Sequence, residues 1–156
     1  NLIIDKYDCN VLLIPMEAKT GNYNDRDMAH EMKEMLNQKE RFCIIENEYE
    51  SSVTAAIIGS CDMFIGTKTH SIVYGLKSEV PTLSIAYQQK ANEFMEMYGV
   101  LENSINLKEL NTADFDKIFC RMINNLNEVR KTQHTQNNII INKSLENRDL
   151  LIELLK

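Results

Sequence analysis

Apolar and polar positions follow one another along the chain in two different periods. Val11-Leu12-Leu13-Ile14 is a short continuous apolar run closed by Pro15, and Phe42-Cys43-Ile44-Ile45 is a second. Such runs, apolar without alternation, are expected of strands buried on both faces of a parallel sheet. Met63-Phe64-Ile65, ended by Gly66, and Thr82-Leu83-Ser84-Ile85-Ala86, entered after Pro81, read as a third and a fourth strand. Ser104-Ile105-Asn106 is a candidate fifth. Between the strands the period becomes helical. Gly21 to Asn24 reads as a polar loop, followed by a helix that Asp25 can cap. In that helix Met28, Met32, Met35 and Leu36 fall at i, i+4, i+7 and i+8, a stripe expected to face the core. Ser51 or Ser52 opens a short helix through Ile58, with Gly59 at its C-terminal cap.

Further helices are predicted over Thr69 to Lys77, with Ile72, Val73 and Leu76 inward, and over Ala91 to Tyr98, with Phe94, Met95 and Tyr98 inward and Gly99 as the stop. From Thr112 onward Phe115, Ile118, Phe119, Met122, Ile123, Leu126 and Val129 keep a 3.6-residue period. Lys131 to Asn138 reads as a polar break. The remainder, ending Leu150-Leu151-Ile152-Glu153-Leu154-Leu155, reads as a last helix packing back on the domain. Ile139-Ile140-Ile141 joins that helix in this reading, a short strand being the alternative.

Apolar strands alternating with helices imply right-handed βαβ units and a mainly parallel sheet covered by helices. The expected fold is therefore α/β, a Rossmann-like three-layer α/β/α domain over residues 1–156. Its core spans about 10–107 and its C-terminal helices about 112–156. Ligands of such sheets bind at the carboxyl ends of the strands. That rule singles out Met16-Glu17, Glu46-Asn47, Gly66 to His70 and Tyr87 to Lys90.

The length, 156 residues, suits one domain. With 17 basic against 23 acidic residues and a formal charge of -6, a general nucleic-acid or anionic-membrane surface is not expected. No apolar run is long enough for a transmembrane helix. The N-terminus lacks the pattern of a signal peptide, so a cytoplasmic location is expected. The chain begins at Asn1 without an initiator Met, as a piece of a longer protein would. Cys9, Cys43, Cys61 and Cys120 show no CxxC spacing, which speaks against a zinc or dithiol site and for free thiols in the core.

The densest chemical signal is Gly66-Thr67-Lys68-Thr69-His70-Ser71, a glycine turn from a buried strand into a helix. A helix start offers unpaired N–H groups and the positive end of the dipole. One strand later, Tyr87-Gln88-Gln89-Lys90 brings another cation to the same sheet edge. From Gly66 to Lys90 there are three Lys (68, 77, 90) and one Glu (79), a formal +2 inside a chain of -6. A local cationic edge suits a small anionic substrate. The plainer reading is a glycine turn of the kind every doubly wound protein has, with a histidine that caps the helix. Asp25 and Asp27, two residues apart, do not face each other as a catalytic pair. His30 and His134 are expected at the surface, as are Glu17 and Glu46. No GxGxxG or P-loop pattern is present.

Taken in order, Cys61-Asp62-Met63-Phe64-Ile65-Gly66-Thr67-Lys68-Thr69-His70-Ser71, Gly75-Leu76, Val80-Pro81 and Tyr87-Gln88-Gln89-Lys90 resemble the polysaccharide pyruvyl transferases. Val11 to Pro15, the helix start at Asp25 to Asp27, and Ala56-Ile57-Ile58-Gly59 are similar to further elements of that family. The resemblance runs over about residues 11–107. It implies the C-terminal Rossmann-like half of a GT-B-type enzyme, with an N-terminal partner domain completing the active site. It also implies transfer of the pyruvyl group of phosphoenolpyruvate onto sugar hydroxyls, in bacterial exopolysaccharide biosynthesis, without a cofactor or metal. His70 matches the motif histidine, the expected catalytic residue. Lys90 matches the lysine after the tyrosine, and Gly66, Lys68, Thr69, Ser71 and Tyr87 complete the expected substrate-binding set. Lys68 stands where the family usually has Arg, and Met16 where relatives often have His. Lysine does not grip a carboxylate or phosphate with two parallel N–H bonds as arginine does.

Two other readings stay open at this point. One is a glycosyltransferase or nucleotide-sugar epimerase half binding at the same helix start, and the other a non-catalytic domain that kept the fold. The partners implied are phosphoenolpyruvate, a sugar or polysaccharide-precursor acceptor, and the N-terminal half of the same enzyme. A homo-oligomer is possible through an exposed apolar face.

Overall fold

Among the described residues, backbone hydrogen bonds join five short strands in two parallel sheets, β1-β2 and β3-β4-β5. The computed structural model describes residues 1–17 and 24–155. Apart from Asn24, the loop expected from Gly21 lies outside the described residues. Contacts divide the chain into Asn1–Glu50 and Ser51–Lys156.

In the first unit β1 (Val11–Leu13) lies parallel to β2 (Phe42–Ile44), with Val11 opposite Phe42. Neither strand is buried on both faces as the apolar runs predicted, because Leu12 and Cys43 are exposed. Helix α1 (Asp25–Glu34) is capped by Asn24, whose side chain accepts from the Asp27 N–H at 2.8 Å. Asn24 has the extended backbone a cap requires. Asp25, the expected cap, already belongs to the helix. Its Oδ2 instead accepts from the backbone N–H groups of Met16 (3.0 Å) and Glu17 (2.9 Å). It thereby ties the exit of β1 to the start of α1.

The methionine stripe of α1 does not form the core. Met28 is 50% exposed and Met35 69%, whereas Ala29 is fully buried. The inward face is rotated by one residue, about 100° around the helix, and α1 packs against β2. In the N-terminal π-helical turn Leu2–Lys6, the Asp5 carboxylate accepts from Asn37 and Gln38, which hold it below the ordinary carboxylate range.

The second unit carries three strands in chain order: β3 (Phe64–Gly66), β4 (Thr82–Ala86) and β5 (Ser104–Asn106). Phe64 lies opposite Thr82 and Ser84 opposite Ser104. After α2 (Ser51–Gly59), α3 (Thr69–Lys77) crosses from β3 to β4 and α4 (Gln89–Met97) from β4 to β5. Two crossovers of one hand in one direction place both helices on the same sheet face. Accordingly α3 touches β3, β4 and α4. Ile72, Leu76, Ala86, Ala91, Met95, Tyr98 and Val100 form the buried cluster between them. Parallel strands joined by helical crossovers make this a Rossmann-like α/β fold.

Two glycines act differently from one another. Gly99, with φ +68°, ends the α4 segment in the left-handed conformation, as the sequence predicts. Gly59 does not act as such a cap. It lies inside α2, and the helix closes through Ser60, whose N–H donates to Ala56 at 3.1 Å.

The polar stretch Lys131–Asn138 does not break the C-terminal helix. The chain interrupts at Asn125, between α5 (Thr112–Asn124) and α6 (Leu126–Leu154), and α6 then runs unbroken for 29 residues. Its inward row is Val129, Gln133, Asn137 and Ile140, so two amides of the stretch that reads as a polar break are buried inside the helix's inward face. Beyond Ile140 every described side chain of α6 is exposed, Leu154 at 84%. This last segment therefore does not pack back on the domain. All four cysteines are free, but none is fully buried, so none is a core thiol.

Asn137 joins α6 to the turn after α3. Its Nδ2 donates to Glu79 Oε1 at 3.1 Å, and its Oδ1 accepts from Tyr98 Oη at 3.0 Å. His134 Nδ1 meets the other Glu79 oxygen at 2.8 Å, while His134 Nε2 faces Asn138 Nδ2 at 3.2 Å. The carboxylate oxygen can only accept, so His134 Nδ1 is the donor of the pair with Glu79. Burial alone would push the Glu79 carboxyl up. The hydrogen bonds from His134 and Asn137, with the His134 charge, outweigh it and hold the group below the ordinary glutamate value.

Two outcomes are expected. A Cβ at Gly75 would lie 2.5 Å from Thr82 Oγ1 and 2.8 Å from Phe64 Cδ1. Overpacking of that kind costs about 1–3 kcal/mol, more than the roughly 0.5–1 kcal/mol gained from a better helix former. Gly75→Ala should therefore lower the urea midpoint. Separately, a carboxyl with a depressed folded pKa adds stability above its unfolded value, roughly 4.3. That stability is lost as the pH falls through the folded pKa. Stability measured from pH 6 to pH 3 should drop more for the parent than for Glu79→Gln.

Candidate functional site

The carboxyl ends of β3 and β4 are neighbours, and each strand runs directly into a turn and a helix start. Gly66 is buried at the end of β3, opposite Ser84 of β4. A Cβ on Gly66 would come within 2.7 Å of Ile72 Cγ1 and 2.8 Å of Phe64 Cε1. The glycine therefore lets the first turn of α3 lie against the strand it follows. Its backbone is not in the left-handed region, so the requirement is steric.

Lys68 is the N-cap of α3, half-buried, and makes no side-chain capping bond. The first bonded amide is that of Ile72, which donates to the Lys68 carbonyl at 3.0 Å. The amides of Thr69, His70 and Ser71 precede that ladder and carry the positive end of the helix. Ser71 is buried, and its hydroxyl donates back to the Lys68 carbonyl at 2.8 Å. Of the residues expected to bind substrate, Ser71 is thus occupied in shaping the turn. Thr69 Oγ1 is buried with no hydrogen-bond partner among the described residues.

His70, in the first turn of α3, is exposed. The plainer expectation, a histidine capping this helix, is not met, since the N-cap is Lys68. Across the strand, Tyr87 (51% exposed) and Lys90 leave β4. Lys90 lies in the first turn of α4, whose N-cap, Gln88, also makes no side-chain capping bond. Two helix N-termini without side-chain caps thus stand side by side. Lys77 belongs elsewhere, since it sits at the last residue of α3, about 12 Å along the helix from Thr69. Glu79 is also remote, in the pair with His134. The edge itself keeps Lys68 and Lys90, the same +2 that the longer stretch carries.

Sequence reasoning missed Ser84. Its side chain is fully buried, and its Oγ has no hydrogen-bond partner among the described residues. Nothing in a run such as Thr-Leu-Ser-Ile-Ala separates a buried orphan hydroxyl from one on the solvent face. Among the described residues no three His, Cys, Asp or Glu side chains come together as a metal site.

The strand exits in the first unit behave differently. Glu46, after β2, pairs with His30 Nε2 at 3.1 Å on an exposed surface, and Glu17 is exposed. His30 and His134 are both at the surface, as expected, and both pair with a glutamate.

The polysaccharide pyruvyl transferase family model matches residues 1–89, more than half of the chain. The chain belongs to this family. The match takes in Gly66, Lys68, Thr69, His70, Ser71 and Tyr87 and stops one residue before Lys90. Over 87 residues the chain is 23% identical to the amylovoran biosynthesis protein AmsJ of Erwinia amylovora, which covers 56% of this chain and 21% of that protein. The chain thus spans about a fifth of the curated relative it matches. No solved structure matches it. The family's description is that of a transferase, and the relative is described as a protein of amylovoran biosynthesis. No described helix is long and apolar enough to cross a membrane.

The orphan hydroxyl gives a direct test of the packing here. A buried hydroxyl without a partner costs roughly 1–3 kcal/mol of desolvation. Ser84→Ala removes that cost and leaves only a small void. The variant is expected to match the parent in thermal midpoint or exceed it slightly, as differential scanning calorimetry would record.

Proposed function

We propose that this chain grips phosphoenolpyruvate at the carboxyl edge of β3 and β4, within a larger enzyme that transfers the pyruvyl group to a sugar. The observation that carries the reading is the pairing of the Gly66–Ser71 and Tyr87–Lys90 turns on neighbouring strands. Both helix starts lack side-chain caps, and the edge has cations but no carboxylate in either turn. Family membership supplies the reaction class.

The chemistry balances with these residue types. A proton is added to the methylene carbon of phosphoenolpyruvate, and one sugar hydroxyl adds to the neighbouring carbon. Phosphate then leaves with its bridging oxygen, and a second hydroxyl takes its place to close the ketal. Of the two hydroxyl protons released, one balances the proton given to carbon and the other goes to phosphate. His70 would move a proton, since an ordinary histidine exchanges protons near neutral pH. Lys68, Lys90 and the two helix starts would hold the carboxylate and phosphate and stabilise the charge of the departing phosphate. Gly66 and Ser71 would act by shaping the turn, with Thr69 and Tyr87 lining it. The acceptor and the N-terminal half of the enzyme would complete the site.

Binding and transfer are tested separately. Ligand that prefers the native state stabilises it by about 2.7 kcal/mol at one hundred times its dissociation constant. Phosphoenolpyruvate should raise the melting midpoint of the parent, and the rise should be lost in Lys90→Ala. In the full-length enzyme, His70→Ala should reduce pyruvyl transfer at least a hundredfold with an unchanged melting midpoint. A midpoint raised by UDP-sugars and not by phosphoenolpyruvate would move the assignment to a sugar-nucleotide enzyme. A fully active His70→Ala enzyme would remove His70 from the chemistry.

A further inference from the structure

The end of α6 runs past the unit that holds its beginning. Val129, Gln133, Asn137 and Ile140 lie against the domain, and every described side chain beyond Ile140 is exposed. Carried on at 3.6 residues per turn, that side of the helix leads into Ile141, Leu145, Leu151, Ile152, Leu154 and Leu155. Their exposure rises from 41% at Leu145 to 84% at Leu154. At about 100° per residue all of them fall within one half of the circumference. The other half carries Lys143, Glu146, Asp149 and Glu153, with Leu150 as its large apolar side chain. A helix apolar over so wide a face is one that buries that face.

Charge indicates what covers it. Helices that lie on anionic membranes are rich in Lys and Arg on the polar face, whereas here one lysine stands against three acids. Arg148 is the charge that falls in the apolar half, midway along residues 141–155. Its Nε and Nη2 donate to Asp149 Oδ1 at 2.9 and 2.8 Å, and both side chains are 61% exposed. Arg148 and Asp149 lie on the same flank of the apolar face, while the opposite flank holds Ser144, Asn147, Leu151 and Leu154 and no charge.

Two parallel helices bring opposite flanks together, and two antiparallel helices bring like flanks together. Parallel pairing would leave each arginine among uncharged groups. Antiparallel pairing sets Arg148 beside Asp149 of the second copy and repeats the contact by symmetry. It also opposes the helix dipoles. With the axis at this pair, Leu145 meets Ile152 and Ile141 meets Leu155. Flanking ion pairs of this kind fix orientation between paired helices. We infer that residues 141–155 of α6 pair antiparallel with the same segment of a second copy, around a two-fold axis at Arg148 and Asp149. Half the surface of a helix about 22 Å long is roughly 500 Å² for each copy, or about 1,000 Å² in the pair. That area belongs with weak, reversible association, well short of the 2,000 Å² or more of obligate dimers. The inference rests on α6 and is independent of the phosphoenolpyruvate reading.

Sedimentation velocity on the whole chain, from about 1 μM to about 1 mM, tests it. The parent should pass from monomer to dimer with a dissociation constant on the order of 10–100 μM. Leu151→Lys, at an exposed position, should keep its helical circular dichroism and weaken dimerisation at least tenfold. Arg148→Asp gathers two acids on the flank, and Asp149→Arg gathers two cations. Each variant alone should stay monomeric where the parent is half dimer. Mixed one to one they should dimerise again, because each flank then meets its opposite charge. A parent that is monomeric at 1 mM overturns the inference, and its retention on phosphatidylcholine vesicles would assign the face to lipid. Dimerisation undiminished in Leu151→Lys, or no recovery in the mixture, overturns it equally.

Discussion

The close approach of α3 to the strands it connects is the constraint on which the larger unit depends. Gly66 and Gly75 stand where any side chain would enter Ile72, Phe64 or Thr82. Removing both Cβ atoms lets the helix settle on β3 and β4, burying Ile72 and Leu76 completely. Burial of that kind is worth roughly 1.5–3 kcal/mol per large side chain. It offsets the entropy lost by glycine, which is greater than for any other residue. Once α3 is seated, α4 has a surface to pack on, and the buried cluster from Ile72 to Val100 closes between them.

The same seating decides where the candidate chemistry lies. Because Gly66 packs so closely, α3 begins within three residues of the strand end, and its first amides open at the sheet edge. Lys68 and His70 arrive with them. The neighbouring strand repeats the arrangement with Tyr87 and Lys90. Strand pairing therefore turns two loops, about 20 residues apart in the chain, into one cationic edge. Ser71 shows the cost of reading every polar residue of a motif as a ligand. Its hydroxyl closes the turn that presents the others.

A different balance of forces governs the C-terminal helix. Its inward row contains Gln133 and Asn137, and only the second is matched, by Tyr98, Glu79 and the Lys77 carbonyl. The amide of Gln133 is fully buried without a partner among the described residues. Polar groups there give a defined register of α6 on α3 in place of generic apolar contact. Past Ile140 the row has no counterpart in this unit, and the leucines of the last turns face outward.

The strands, the α3 helix to the residue, the Gly99 stop and the family-bearing motif were all legible in the chain. Each depends on local rules, namely apolar runs, the 3.6-residue period and the backbone freedom of glycine. What was not legible depended on which neighbour arrives. The methionine stripe of α1 has an ideal helical spacing, yet the adjacent position, Ala29, is the one that is buried. Asp25 and Asn24 are both good caps, and only the exit of β1 claims the first. The polar stretch of α6 looks like a break until Tyr98, Glu79 and the Lys77 carbonyl supply partners for Asn137. Composition and periodicity by themselves determined an acidic α/β chain with a cationic turn. Tertiary structure alone decided which face of each helix is buried, which hydroxyls are used, and that two distant turns share one edge. Side-chain spacing records what a helix can bury, and packing selects what it does.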